Sequence, residues 1–328
     1  FQPLLNGDTS TGAPALESLT LTARDAINFY GSVTLDTIDP ATGKSRLDTL
    51  VLGTPAIYGS GGAGDVATIR TRNLVWSGAT QAPGSVASGG AGTGSGTLDI
   101  QAERIELGDM PHTVSNGQDD NARLALGFAT VKLGASDRLT SSRRGSLSVY
   151  QSQGAYEDGK GYAYSGGNLE IATPLVTGEA GAVNRITAGG SLRIGASGGS
   201  RYDAAAGKAI QALGADLALN ARDIVLDTAI VLPTGKLTLT AKDDIALADG
   251  ALIDVGGRKL GFNDLDKFSW GGDVGLESQA GSIRQAAGAT IDLSAPGNRA
   301  GTVKGVGLRR AAGVVDLQGR ILGASSGH

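Results

Sequence analysis

Cysteine is absent from the 328 residues, which excludes a disulfide framework, a thiolate nucleophile and cysteine-ligated metal, and is compatible with an oxidising exterior where stray thiols are a liability. Histidine occurs only as His112 and His328, and a single imidazole without nearby partners cannot assemble a tetrahedral metal site. Aromatic residues make up 4% of the chain, with one Met and two Trp, so Val, Ile, Leu and Ala have to fill the interior. No apolar run reaches the roughly 18 residues of a membrane-spanning helix, and Phe1-Gln2-Pro3-Leu4 has neither the charged nor the apolar region of a signal peptide. Basic residues number 28 against 32 acidic, for a net charge of −4, and they are scattered, so a nucleic-acid backbone finds no docking stripe. The chain opens on Phe1 without an initiator methionine and stops in Ser325-Ser326-Gly327-His328, and both ends read as cuts through something longer.

What is abundant is glycine, 53 residues, together with a short apolar alternation that keeps restarting. Leu217-x-Leu219-x-Ala221-x-x-Ile224-x-Leu226 returns as Leu237-x-Leu239-x-Ala241 followed by Ile245-x-Leu247. An alternation of period two that restarts at so short a spacing is one coil of a parallel β-solenoid, because each coil hides its inward face only by stacking on the next. Similar phrases begin at Leu19, Leu98, Leu147, Leu169 and Leu192, and the starts from Leu147 through Leu237 are nearly evenly spaced. The expectation is therefore an all-β parallel β-helix over 1–328, a single segment with about three short strands per coil of about 20 to 25 residues. About ten to thirteen such coils, stacked about 4.8 Å apart, would make a rod roughly 50 to 60 Å long. Helix should be nearly absent, with 204–213 the one modest candidate. Loop excursions are expected at 53–96, within which Val66-x-x-Ile69 and Leu74-Val75-Trp76 look able to pair, and at 108–121, 151–166 and 256–272, and loops on a rigid scaffold are where binding concentrates.

The motifs that carry chemistry elsewhere fail here on their surroundings. Gly195-x-Ser197-x-Gly199 and Gly323-x-Ser325-x-Gly327 match a nucleophile elbow, but such hits are expected by accident in a Gly- and Ser-rich chain, and no histidine has an orienting acid beside it. Gly43-Lys44-Ser45 imitates a phosphate loop, yet Ile38 stands where the first glycine belongs. Asp25, Asp223 and Asp243 follow Arg24, Arg222 and Lys242 at what read as equivalent corners; an Asp that turns the chain, balanced by the adjacent cation, outweighs a calcium or catalytic reading. No catalytic, cofactor or metal residue is assigned. Tyr150, Tyr156, Tyr162 and Tyr164 crowd into one Gly-rich insertion with Glu157, Asp158 and Lys160, and rings with a polar tip suit contact with sugars or a protein surface. These four are the candidate binding residues, set against the plainer reading that they fold back over a flank of the scaffold. Trp76 and Trp270 read as lids over coil edges.

The phrase Leu-x-Leu-x-Ala-[Arg/Lys]-Asp, at Leu217 to Asp223 and Leu237 to Asp243, resembles the repeats of the filamentous haemagglutinin family of large bacterial exoproteins. Trp270-Gly271-Gly272-Asp273-Val274, Gly281-Ser282-Ile283, Gln285-Ala286-Ala287-Gly288 and Ile291-Asp292-Leu293-Ser294-Ala295 are similar to the repeat region of its longest members. The resemblance implies a right-handed parallel β-helix, a non-enzymatic adhesin shaft secreted by a two-partner route through an outer-membrane pore protein and displayed on the cell surface of a Gram-negative bacterium. Its partners would be glycans or proteins of host or bacterial surfaces, with room for side-by-side self-association. The family's Asn-Pro-Asn-Leu secretion motif is missing, so recognition by the pore falls outside this segment. A carbohydrate-active β-helix enzyme and the stalk of a contact-dependent toxin share the fold and remain alternatives.

Overall fold

The computed structural model describes residues 12, 16–45, 47–108, 120–196, 202–203, 207–262, 265–308 and 313–326. The named elements among them are all strands, and the long pairings are parallel, so the chain is an all-β solenoid of the β-helix type. Of the helix candidate, Gly207 and Lys208 are helical and 210–213 carry no regular structure. Contacts divide the chain into two compact units, one of Phe1–Leu139, Arg144–Glu170 and Ala188–Gly190, the other of Thr140–Arg143, Ile171–Thr187 and Ser191–His328.

In the second unit the repeated phrases become stacked strands. Leu217 and Leu219 lie opposite Leu237 and Leu239, which lie opposite Val274 and Leu276. The chain then turns a corner, and Ile224, Ile245 and Ile283 form a second row; after another corner Ile230, Ile253, Ile291 and Ile321 form a third. Three strands make one coil, as the alternation indicates. Between Leu217 and Ile291 these inward side chains are at most 2% exposed. Burying one such side chain is worth about 1.5–3 kcal/mol, and only the coils above and below can bury it.

The first unit is built in the same way. Leu19, Leu50, Leu74 and Ile105 share a row, Leu35, Ile69 and Ile100 a second, and Ile27, Ile57, Ala125 and Val149 a third. The third row skips a level: the strand Ala56–Gly59 pairs directly with Asp120–Leu126, because residues 77–95 leave the stack instead of adding a strand to it. Arg123 takes an inward position there, opposite Leu147 and 1% exposed. Its guanidinium donates to the carbonyls of Ser77 (2.9 Å), Gly108 (3.1 Å), Asn121 (3.2 Å), Ser146 (3.4 Å) and Trp76.

Two expectations need correction. The step between stacked positions is short from Leu217 to Leu237, but half as long again from Leu74 to Ile105 and nearly twice as long from Leu237 to Val274. Coils are therefore longer and fewer than the evenly spaced phrases imply. The step from Leu192 to Leu217 is not a coil at all, since Leu192 stacks on Ile224 and Leu217 on Asn184. The excursion within 53–96 is also shorter than expected: the two stretches that look able to pair are the strands Val66–Arg70 and Asn73–Trp76, Ala56–Gly59 is a third strand, and 77–95 is what leaves the stack. Within 256–272 the strands Lys259–Phe262 and Leu265–Phe268 form a hairpin; of 108–121, residues 109–119 lie outside the described residues. Between the strands Ser191–Gly195 and Asp216–Ala221 lies a further excursion that the alternation does not reveal. From it Tyr202 and Ile210 cover the outward apolar residues Leu175, Ala229 and Val231. Arg258 ties it down, donating to Ile210 O (3.4 Å) while paired with Asp254 at 2.9 Å.

Candidate functional site

Along any strand every second residue points away from the inward row. On Ala56–Gly59, Asp120–Leu126 and Arg144–Tyr150 this outward set includes Tyr58, Leu126 and Tyr150 in one column, with Ala56 beside Leu124. Outward positions on such a strand are ordinarily polar and wet, yet Tyr58 is 4% exposed and Leu126 is fully buried. Two excursions supply the cover. Val86 and Ala91 come from residues 77–95, Tyr164 comes from the insertion after Tyr150, and the Tyr58 hydroxyl donates to Gly84 O at 2.7 Å.

The tyrosine-rich insertion is an antiparallel hairpin of Ser152–Glu157 and Gly161–Ser165, with an irregular register between Gln153 and Tyr156. It returns to the stack through Gly166 and Gly167, at φ 64° and 86°. A Cβ on Gly167 would lie 2.8 Å from Tyr150 Cα, so glycine serves there both the backbone conformation and the close approach. The hairpin brings all four predicted tyrosines together and divides them. Tyr150 and Tyr164 stack face to face, centroids 4.9 Å apart at 19°, and pack on the Tyr58–Leu126 patch. Tyr156 and Tyr162 sit opposite each other across the hairpin, edge to face at 5.1 Å and 69°, and Tyr162 leans on Tyr164 at 6.4 Å. Their exposures, 61% and 44%, leave both rings open to solvent. One pair of tyrosines is the anchor and the other is the presented surface.

Tyr58 belongs to this assembly although its sequence context gave no sign of it. The available signal was Leu124-Ala125-Leu126, apolar at both parities, which marks a strand buried on both faces. Burial, reinforced by Tyr164, Asp25 and Tyr162 nearby, pushes the Tyr58 phenol up to about 12, and burial raises Tyr150 and Tyr164 as well. A phenol with a raised folded pKa contributes stability that is complete below its unfolded value near 10 and disappears as the pH climbs through the folded value. Tyrosinate absorbance should therefore include a late step toward pH 12 from Tyr58, accompanied by loss of structure. Tyr58→Phe should remove that contribution, and an absorbance profile unchanged by the substitution would contradict the packing.

The remaining candidates disperse. Trp76 is no lid: it lies in the inward row between Leu52 and Leu107, fully buried, with its indole N–H donating to Thr54 O at 3.0 Å. Trp270 is 59% exposed. Asp223 pairs with Arg222 at 2.7 Å, as a corner acid would. Asp243 keeps the register of the preceding strands, its amide donating to Arg222 O, but one extra residue follows, so the neighbouring Asp244 takes the place before Ile245 that Asp223 holds before Ile224. Asp25 faces the 77–95 excursion at Gly84, and the three corner aspartates are not equivalent. Gly43-Lys44-Ser45 belongs to a small antiparallel ribbon with Ile38–Asp39, not to a phosphate loop. His112, Ser197 and His328 lie outside the described residues, and among the described ones no three acidic or imidazole groups converge on a metal-sized site.

No protein-family model, curated protein or solved structure matches this chain. Function therefore has to be read from its surfaces, of which the hairpin is the most specific in the first unit.

Proposed function

We propose that this chain is a shaft segment with an adhesive patch in a secreted fibre, displayed on the surface of a Gram-negative bacterium and similar in kind to the filamentous haemagglutinin exoproteins. In this reading it is not an enzyme. An outer-membrane pore protein recognises another part of the longer chain, and the segment binds glycans or proteins of host or bacterial surfaces. The observation that supports it is the hairpin, which holds Tyr156 and Tyr162 in solvent on a stem stacked against the scaffold. Rings fixed before contact lose little entropy on binding, which is how a small aromatic patch becomes adhesive.

The test is binding of the segment to a glycan array and to epithelial cells. Tyr156→Ser combined with Tyr162→Ser should weaken binding about tenfold or more, since aromatic anchors typically carry about 1 kcal/mol or more each. The same variant should leave the unfolding midpoint unchanged, because the anchoring pair is intact. Binding indifferent to both substitutions would remove the patch from the mechanism. Shortened saccharides in the incubation would favour the carbohydrate-active enzyme instead.

A further inference from the structure

The second unit carries a site of another kind on its second face. Arg193, Val225, Ala246 and Arg284 are successive members of one outward column across the strands Ser191–Gly195, Asp223–Asp227, Ile245–Leu247 and Ile283–Gln285. A shaft that only repeats would place like residues along such a column. Here two small apolar side chains lie between two long cationic ones, and the result is a trough of about 430 Å³. Val225 and Ala246 are its floor, and Asp223, Asp244 and Arg222 line one side. At about 4.8 Å per strand, Arg193 and Arg284 stand three steps, roughly 14 Å, apart along the backbone. That span suits a short oligomer lying across the strands.

The polar groups are unequally committed. Arg222 is held by Asp223 at 2.7 Å, and Asp244 Oδ1 accepts the Ser282 amide at 2.7 Å. Arg193 and Arg284 are exposed and form no ion pair with a described residue; Asp316, next in the column beyond Arg284, accepts from Gln318 Nε2 at 3.0 Å. Two guanidiniums thus remain at the ends, each able to grip a carboxylate with two parallel hydrogen bonds. Between them the carboxylates of Asp223 and Asp244 can accept from hydroxyls, and the Val–Ala floor can take the C–H face of a sugar ring. Three Arg against two Asp leave one net positive charge, and the two acids repel a densely charged polyanion.

We infer that this trough binds a uronate-containing oligosaccharide, with a carboxylate at each end arginine and hydroxyls toward the two aspartates. The site shares no residue with the hairpin, so either can fail alone. The experiment is titration calorimetry of the chain with short oligogalacturonates, alongside neutral oligosaccharides of equal length, a heparin-derived oligosaccharide and an oligoglutamate. Oligogalacturonate should be the best ligand. Arg193→Gln or Arg284→Gln should each weaken it about tenfold or more, as loss of a charge-assisted pair does. Ala246→Trp should abolish binding by filling the floor, whereas Tyr156→Ser with Tyr162→Ser should leave it unchanged. All these positions are at the surface, and thermal unfolding checks that the fold is retained. Absence of oligogalacturonate binding at millimolar concentration overturns the proposal, as does affinity unaltered by both arginine variants. Tighter binding of the heparin fragment or the oligoglutamate also overturns it, in favour of plain charge attraction or a peptide site.

Discussion

Arg123→Met should destabilise the first unit by about 3–5 kcal/mol, one of the two largest effects expected of a single change in this chain. Methionine keeps the unbranched apolar stem of arginine and stops short of the guanidinium, so packing along the stem is retained and most of the loss reports on the donors. Five carbonyls, of Trp76, Ser77, Gly108, Asn121 and Ser146, take hydrogen bonds from this one buried guanidinium. A buried carbonyl left dry costs about 1–3 kcal/mol, and relaxation or an entering water recovers only some of the total. Arg123→Lys should fall between, because an ammonium is a point donor and cannot span carbonyls arranged around a planar fork. Trp76 is a built-in reporter, being buried and hydrogen-bonded to Arg123 through its own carbonyl; Trp270→Phe removes the competing exposed indole. Urea titration followed by indole fluorescence measures the midpoint. A methionine variant as stable as the parent would mean that a buried charge here is no better than a hydrophobe, as some buried ionic groups are.

The inward rows were legible in the sequence because parity is a local property. Leu217-x-Leu219 and Leu237-x-Leu239 each announce the same face within a single short strand, and the structure stacks them as written. Register over longer distances was not legible. Leu192 and Leu217 look like successive repeats but occupy different faces, because the strands Ser191–Gly195 and Asp216–Ala221 belong to different rows of the stack and the alternation within each strand does not say which. Arg123 went unremarked for a related reason. Its inward orientation follows only once Asp120–Leu126 is paired with Arg144–Tyr150, which sets Arg123 against Leu147.

The candidate sites divide along the same line. The four tyrosines from Tyr150 to Tyr164 are a local cluster, and their gathering was foreseeable. Which pair would be buried was not, since that depends on an apolar column contributed by Tyr58 and Leu126, far away in the chain. The trough is less visible still. Arg193, Val225, Ala246 and Arg284 are separated by long and unequal stretches of chain that match no motif, and only the stacking of four coils makes them neighbours. In a solenoid the scaffold is written locally and the surface chemistry is written across coils, so sequence reading recovers the first more fully than the second.

The sharpest consequence of parity lies in adjacent residues. Leu239 sits in the inward row between Leu219 and Leu276, all three at most 2% exposed, while Thr238 faces outward between Ala218 and Gly275. Leu239→Ala should cost about 2–5 kcal/mol through lost burial and the cavity left behind. Leu239→Asp should prevent the second unit from folding cooperatively: no cation lies in that row to pair with a carboxylate, and an unpaired buried charge costs several kcal/mol against a total domain stability of about 5–15 kcal/mol. Thr238→Asp introduces the same group one residue earlier and should stay within about 0.5–1 kcal/mol of the parent, since it enters water between two uncharged neighbours. Circular dichroism melts and limited proteolysis distinguish the variants directly. A slip of one residue in the stacking would exchange their behaviour. A damaging Thr238→Asp beside a tolerated Leu239→Asp would therefore turn the whole row inside out, and the trough on the adjoining face would lose its register with it.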